Sequence, residues 1–335
     1  MSVDILKKFF NIKPENSFID GNIIRYLADD SLYTLVPVTN VKEERLVELY
    51  EMSEHLIAQN DRYVSKFTLG KDNKFLITSN NEDFVLLKNQ YHPLTRNKDY
   101  GKKLAKFHYR GRSLQTNIQT VSSAGQWKTF WEKRLDQMEK AWYQLVQEQP
   151  NQDFEHLFVD SFPYYMGLCE NAIQYLVDTE LDDTPIQIDE GTICHERFNK
   201  NSWGKNQWIR NPFDWVFDHA SRDIAEWIRD QYFRNKRTFM PDLQEFLRGY
   251  QSISPLSSFS WRLLYARLLF PLHYFECIEE YFITRSEQQQ KNLEERLRKC
   301  IRDSHQYEKF LSNFFQLAEV SAGRQNIPEV NWLAN

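Results

Sequence analysis

The stretch ICHERFNKNSWGKNQWIRNPFDWVFDHASRDIA, Ile193 to Ala225, packs a histidine, an acid, an arginine and amide side chains into one short interval, followed by Asp214 and Asp223. Ile193 and Cys194 lead into His195, and Phe213-Asp214-Trp215 closes a polar interval. Histidines and carboxylates at such spacing are the side chains that move protons and hold metal ions. The residue two places after His195 is Arg197, whose guanidinium stays protonated at any accessible pH and so accepts no proton.

Around this segment the chain has 335 residues, above the usual size of a single domain, which predicts two lobes. Its 24 Phe, 17 Tyr and 9 Trp supply a large core. The net charge of -5 leaves no broad positive footprint, so nucleic acid is not an expected partner. Cys169, Cys194, Cys277 and Cys300 form no C-x-x-C pair, which predicts reduced, buried thiols rather than a zinc site or disulfides. The opening MSVDILKKFFNIKPEN has charges inside its short apolar stretch, and no apolar run reaches about 18 residues. Neither a signal peptide nor a membrane span is predicted, and folding in the cytoplasm is expected.

From Ser17 to Gln90 the pattern predicts strands around one helix. Asn22–Leu27 and Leu32–Val38 flank the turn residues Ala28-Asp29-Asp30-Ser31, and Phe75–Thr78 and Phe84–Leu87 flank Ser79-Asn80-Asn81-Glu82. Between the hairpins, Leu46, Leu49, Tyr50, Leu56 and Ile57 recur at helical spacing over Glu43–Gln59. Beyond Asp99 the pattern turns helical. Leu104, Phe107 and His108 share one helix, and Trp127, Phe130, Trp131, Leu135, Met138 and Trp142 form the apolar face of another. Trp261–Phe282 is apolar on nearly every side, which predicts two buried helices broken at Pro271. The polar run Ser286–Asn292 reads as a helix start or loop.

Four stretches resemble the aminoglycoside phosphotransferase-like kinases, and within them the bacterial spore coat proteins of the CotS and YutH type. They are Leu104-Ala105-x-Phe107-His108, Ile193-Cys194-His195, Phe213-Asp214-Trp215 with Asp223-Ile224-Ala225, and Leu263 to Pro271 (LLYARLLFP). The last is the most specific to the spore coat branch. The resemblance implies an α+β, two-lobed, protein-kinase-like fold: a small antiparallel-sheet lobe over residues 1–90 and a large, mainly helical lobe over 91–335. It also implies synthesis in the mother cell, deposition in the spore coat, and other coat proteins as partners.

Kinases use His-x-Asp-x-x-x-x-Asn and then a second Asp; the first Asp takes the substrate hydroxyl's proton and the Asn and second Asp hold magnesium. Here His195-Glu196-Arg197 replaces the His-Gly-Asp of active relatives, and the Asn position falls on Ser202, one place after Asn201. The strand whose Lys neutralises nucleotide phosphates resembles Tyr33-Thr34-Leu35-Val36-Pro37, with Val36 at the Lys position. Gly21 is the sole glycine before Gly70, so no glycine-rich phosphate loop is read. By the same resemblance Asp214 is the candidate magnesium ligand, Asp223 a structural aspartate, and His195 and His108 packed, hydrogen-bonded residues. Arg197 is expected to pair with Asp214 across the vacated metal position, and Lys200, Lys205 and Arg210 to be solvated surface charges. Glu196 is one residue out of place for a base.

These departures predict a catalytically inactive, kinase-like structural or assembly component of the endospore coat, with no cofactor. The alternative is an ATP-dependent small-molecule phosphotransferase using magnesium, Asp214 and Glu196 in an atypical site.

Overall fold

The structure, a computed structural model, describes residues 2–21, 23–91, 99–203, 208–236, 238–325, 327–328 and 330–333. Of the positions discussed above, Asn22 and Lys205 lie outside these residues. Contact density divides the chain into two compact units: Met1–Ser123, Gly191–Asp230 and Arg248–Ser254 form the first, and Ala124–Glu190, Gln231–Leu247 and Pro255–Asn335 the second.

In the first unit, helix α1 (Ser2–Phe10) precedes strands β1 (Asn16–Asp20), β2 (Ile23–Ala28) and β3 (Ser31–Pro37), helix α2 (Glu43–Ala58), and strands β4 (Lys66–Thr68), β5 (Leu76–Ser79) and β6 (Glu82–Gln90). The sheet is antiparallel in the order β1-β2-β3-β6-β4, with β5 pairing β6. Both predicted hairpins are present. Asp20 pairs with Ile23, so two residues join β1 to β2, and Gly21 takes a φ of +67°, a left-handed conformation that costs glycine little. One sheet face buries Tyr26, Ala28, Tyr33 and Leu86 with Leu6 of α1, and Phe10, Ile12 and Leu35 pack against them. Of the positions whose spacing predicts α2, Leu46, Leu49 and Leu56 are buried, joined by Met52, each contributing roughly 1.5–3 kcal/mol, whereas Tyr50 and Ile57 are half-buried.

Helix α3 (Tyr100–Arg112) is capped by Asp99, whose side chain accepts from the Lys102 amide. It lies close to strand β7 (Thr192–His195): a Cβ on Gly111 would sit 2.6 Å from Thr192 Oγ1 and 2.8 Å from the Ile193 amide nitrogen. β7 pairs antiparallel with β8 (Trp215–Asp218), His195 opposite Trp215.

Helices dominate the remainder: α4 (Trp127–Glu148), α5 (Asp153–Asp182), α6 (Ser221–Arg234), α7 (Phe239–Gln251), α8 (Ser258–Leu269), α9 (Leu272–Ile283), α10 (Glu287–Arg302), α11 (Ser304–Ser312) and α12 (Phe314–Leu317). Pro271 separates α8 from α9, as expected of a residue that cannot continue a helix. Every residue from Ser260 to Leu269 is buried, including Arg267, whose guanidinium lies 4.6 Å from the Trp127 ring centre. On α4 the apolar face is narrower than predicted. Trp127, Trp131 and Met138 are buried, with Trp131 stacked on Phe270 at 4.6 Å, but Phe130 is exposed because the helix turns it away from that contact. Ser286 caps α10 through the Gln289 amide, so the polar run is a helix start. No described helix is long and apolar enough to cross a membrane.

Candidate functional site: the segment between β7 and β8

The β7–β8 pair sets the site, because it brings the loop after His195 beside the residue before Trp215: the Glu196 amide donates to the Asp214 carbonyl at 2.8 Å. Behind it, Asp223 in the first turn of α6 is fully buried and accepts three hydrogen bonds. The donors are the His195 amide (2.9 Å), His195 Nδ1 (2.7 Å) and His108 Nε2 (3.1 Å). Trp203 Nε1 donates to His195 Nε2 at 2.9 Å. An indole N–H can only donate, so Nε2 accepts and the ring hydrogen given to Asp223 resides on Nδ1. His108 Nδ1 meets the Tyr250 hydroxyl at 2.8 Å.

Burial pulls His108 below its usual range, keeping the ring neutral despite Asp223. Burial also works against the Asp223 carboxylate, yet the two imidazoles that donate to it hold it well below the ordinary carboxylate range. The Cys194 thiol, pushed up by burial and the adjacent carboxylates, donates weakly to the carbonyls of Asp218 and His219 at 3.5 Å. Donor atoms of His108, Cys194 and Asp223 fall within 4.8 Å of one another, but each already serves this network.

The loop itself is closed on itself. Ser202 Oγ accepts from the Asn199 amide (2.8 Å) and donates to the Arg197 carbonyl (3.2 Å), and the Asn201 amide donates to Asn199 Oδ1. Arg222 donates to the carbonyls of both His195 and Glu196. Arg197 does not turn to Asp214 as expected. Its guanidinium donates to the Glu196 carbonyl and lies 3.8 Å from Glu226 on α6, a carboxylate one helix face away that the sequence alone could not bring near. Glu196 points to Arg45 of α2, Oε1 to Nη2 2.8 Å.

Asp214 remains exposed, though protein atoms crowd it. That crowding raises its carboxyl above the usual value, with Glu196 adding to the rise and His195 and Arg25 opposing it. Magnesium takes an octahedron of oxygens and needs carboxylates completed by phosphates. Here the described side chains offer one carboxylate at Asp214, while Glu196 is held by Arg45 and the Ser202 hydroxyl by the loop, so the donor set does not fit a metal by itself.

Arg25 is the residue the sequence reading missed. Val36 stands opposite Val85 on β3. Arg25 of β2 donates to Thr34 Oγ1 at 2.7 Å and pairs with Asp20 at 3.1 Å, all three being buried. Thr34 and Val36 are two apart on one strand, so Arg25 occupies the same sheet face as Val36. Its signal in the sequence was a charge within an otherwise apolar strand. Arg210 is a second correction. It is buried rather than a surface charge, paired with Asp61 and set over the rings of Trp203 (4.5 Å) and Phe107 (4.9 Å), so its charge is matched inside the fold. Lys200 is exposed, as expected.

The family model of the spore coat putative kinase YutH matches residues 3–314. The chain belongs to the YutH spore coat family. It is 43% identical over 308 residues to the endospore coat-associated protein YutH of Bacillus subtilis (strain 168), covering 92% of this chain and 91% of that one. The fold is that of aminoglycoside phosphotransferase-like kinases. An aminoglycoside phosphotransferase from Alicyclobacillus acidocaldarius superposes with a TM-score of 0.66 at 12% identity, over 91% of this chain and 93% of that one. A microcompartment-associated aminopropanol kinase superposes at 0.59 and 11% identity, over 93% and 97%. Spectinomycin phosphotransferase, solved with ADP and spectinomycin, does so at 0.57 and 13%, over 89% and 93%. At these identities the likeness concerns the fold alone.

Proposed function

We propose that this member of the YutH family is a catalytically inactive kinase-like protein that serves as a structural or assembly component of the endospore coat. On this reading it is made in the mother cell and deposited in the coat beside other coat proteins. The observation that carries it is Arg197, a permanent cation directed at Glu226 in the position where a proton acceptor is required. Loss of general-base catalysis costs about 10²–10⁴ in rate, and the Lys position is Val36. The coat association named for the Bacillus subtilis relative supports the setting.

The exposed Asp214 beside Glu196 favours the second reading, an ATP- and magnesium-dependent small-molecule phosphotransferase. Thermal unfolding with millimolar Mg-ATP separates the two, since a ligand of the native state raises the midpoint. The expected result is no shift and no ATP turnover. A clear shift, with turnover that Asp214→Ala abolishes, sinks the inactive reading.

A further inference from the structure

Helix α2 buries Leu46, Leu49, Met52 and Leu56 on one side. Three further residues of the helix, at and beside this buried face, reach parts of the first unit far away in sequence. Arg45 pairs with Glu196 at 2.8 Å. Glu48 receives the backbone N–H groups of Gln119, Thr120 and Val121 at 3.0, 2.9 and 2.8 Å, one carboxylate filling a nest of three consecutive amides. His55 Nε2 donates to the Arg110 carbonyl near the end of α3 at 2.8 Å. Just past the helix, Asp61 accepts from Arg110 at 2.9 Å and from Arg210. On an α-helix, positions 45, 48 and 55 fall within a narrow arc, so these tethers act along one side.

In regulated kinases the matching helix changes position to assemble or dismantle the site. We propose that α2 is instead a fixed strut, tied by Arg45, Glu48 and His55 to the loop after His195, to residues 119–121 and to the end of α3, so that these parts open together or not at all. The Glu48 nest is the central tie, because three charge-assisted hydrogen bonds from consecutive amides converge on one carboxylate. Arg45 is a positioning residue: it couples the helix to Glu196, the acid closest to the missing base. The strut does not depend on whether any phosphotransfer survives.

Hydrogen–deuterium exchange of the full chain, followed peptide by peptide, tests this in Glu48→Ala. The expected result is faster exchange by about tenfold or more, by a common factor, in α2, in residues 119–121 and in residues 195–197, as the loss of a charge-assisted bond implies. Acceleration confined to 119–121, with α2 at its original rate, overturns the strut. Should Glu48→Ala fail to fold, Arg45→Gln, which is partly exposed, gives the same readout. Loop 195–197 and the first half of α2 accelerating together support the proposal, and the loop accelerating alone overturns it.

Discussion

Asp214 and Asp223 stand on either side of β8 and have met opposite fates. Asp223 is buried, accepts from two imidazoles and an amide, and is held as a carboxylate. Asp214 is exposed, and its surroundings disfavour its charge. The contrast separates a carboxylate that the fold itself uses from one that it leaves at the surface. A buried acceptor cannot be removed without orphaning its donors, whereas an exposed ligand or base can change at little cost to folding. Arg197 and Val36 are not among the donors to Asp223.

The sharpest way to break this comparison is Asp223→Ala. It leaves the ring donors of His108 and His195 and the His195 amide buried without an acceptor, at about 1–3 kcal/mol each, so urea unfolding is expected to show a loss of about 3 kcal/mol or more. A loss below about 1 kcal/mol would mean that Asp223 is no keystone.

Acid stability is the next test. Asp223 and Glu48 both titrate below their unfolded values: at Asp223 the imidazoles outweigh burial, and at Glu48 the amides of Gln119, Thr120 and Val121 do so. A group with a depressed folded value contributes stability above its unfolded pKa, about 4 for a carboxylate, and loses it as pH falls further. The unfolding midpoint is therefore expected to hold down to about pH 4 and to fall below it, with a shallower fall in Glu48→Gln. An acid limb of unchanged slope in Glu48→Gln would remove Glu48 from the account.

The smallest effect belongs to Asp214→Asn. A carboxyl whose folded value is raised costs stability when ionised, and the cost lifts as pH falls through that value. The variant is expected to melt higher at pH 7, on the order of 1 °C, with the gain vanishing below about pH 4. A lower midpoint at pH 7 would show that Asp214 stabilises the loop, making it more like Asp223 than the comparison allows.

Much of the architecture was legible because local patterns specified it. Turn residues around Asp29-Asp30 and Asn80-Asn81 marked both hairpins, and these four residues adopt positive φ, which Asp and Asn tolerate. The helical spacing of α2 and the break at Pro271 were equally plain. Strand β4, three residues long, and the short edge strand β1 carried no comparable signal, since neither alternates far enough to reveal a period. A helical period tolerates a neighbouring residue and so does not separate Phe130, which is exposed, from Trp131, which is covered; only the packing partner decides that.

For the site, the sequence by itself determined chemistry that depends on residue identity alone: a guanidinium at 197 accepts no proton, and a valine at 36 carries no charge. Tertiary structure alone decided which charges meet. His108 and Asp223 are 115 positions apart, and Arg45 and Glu196 are 151. Arg197 chose Glu226 over Asp214, and Arg25 came to lie on the Val36 face, because strand register and helix packing set those distances. Electrostatic and hydrogen-bond energies fall steeply with separation, so partners became definite only when the chain had folded.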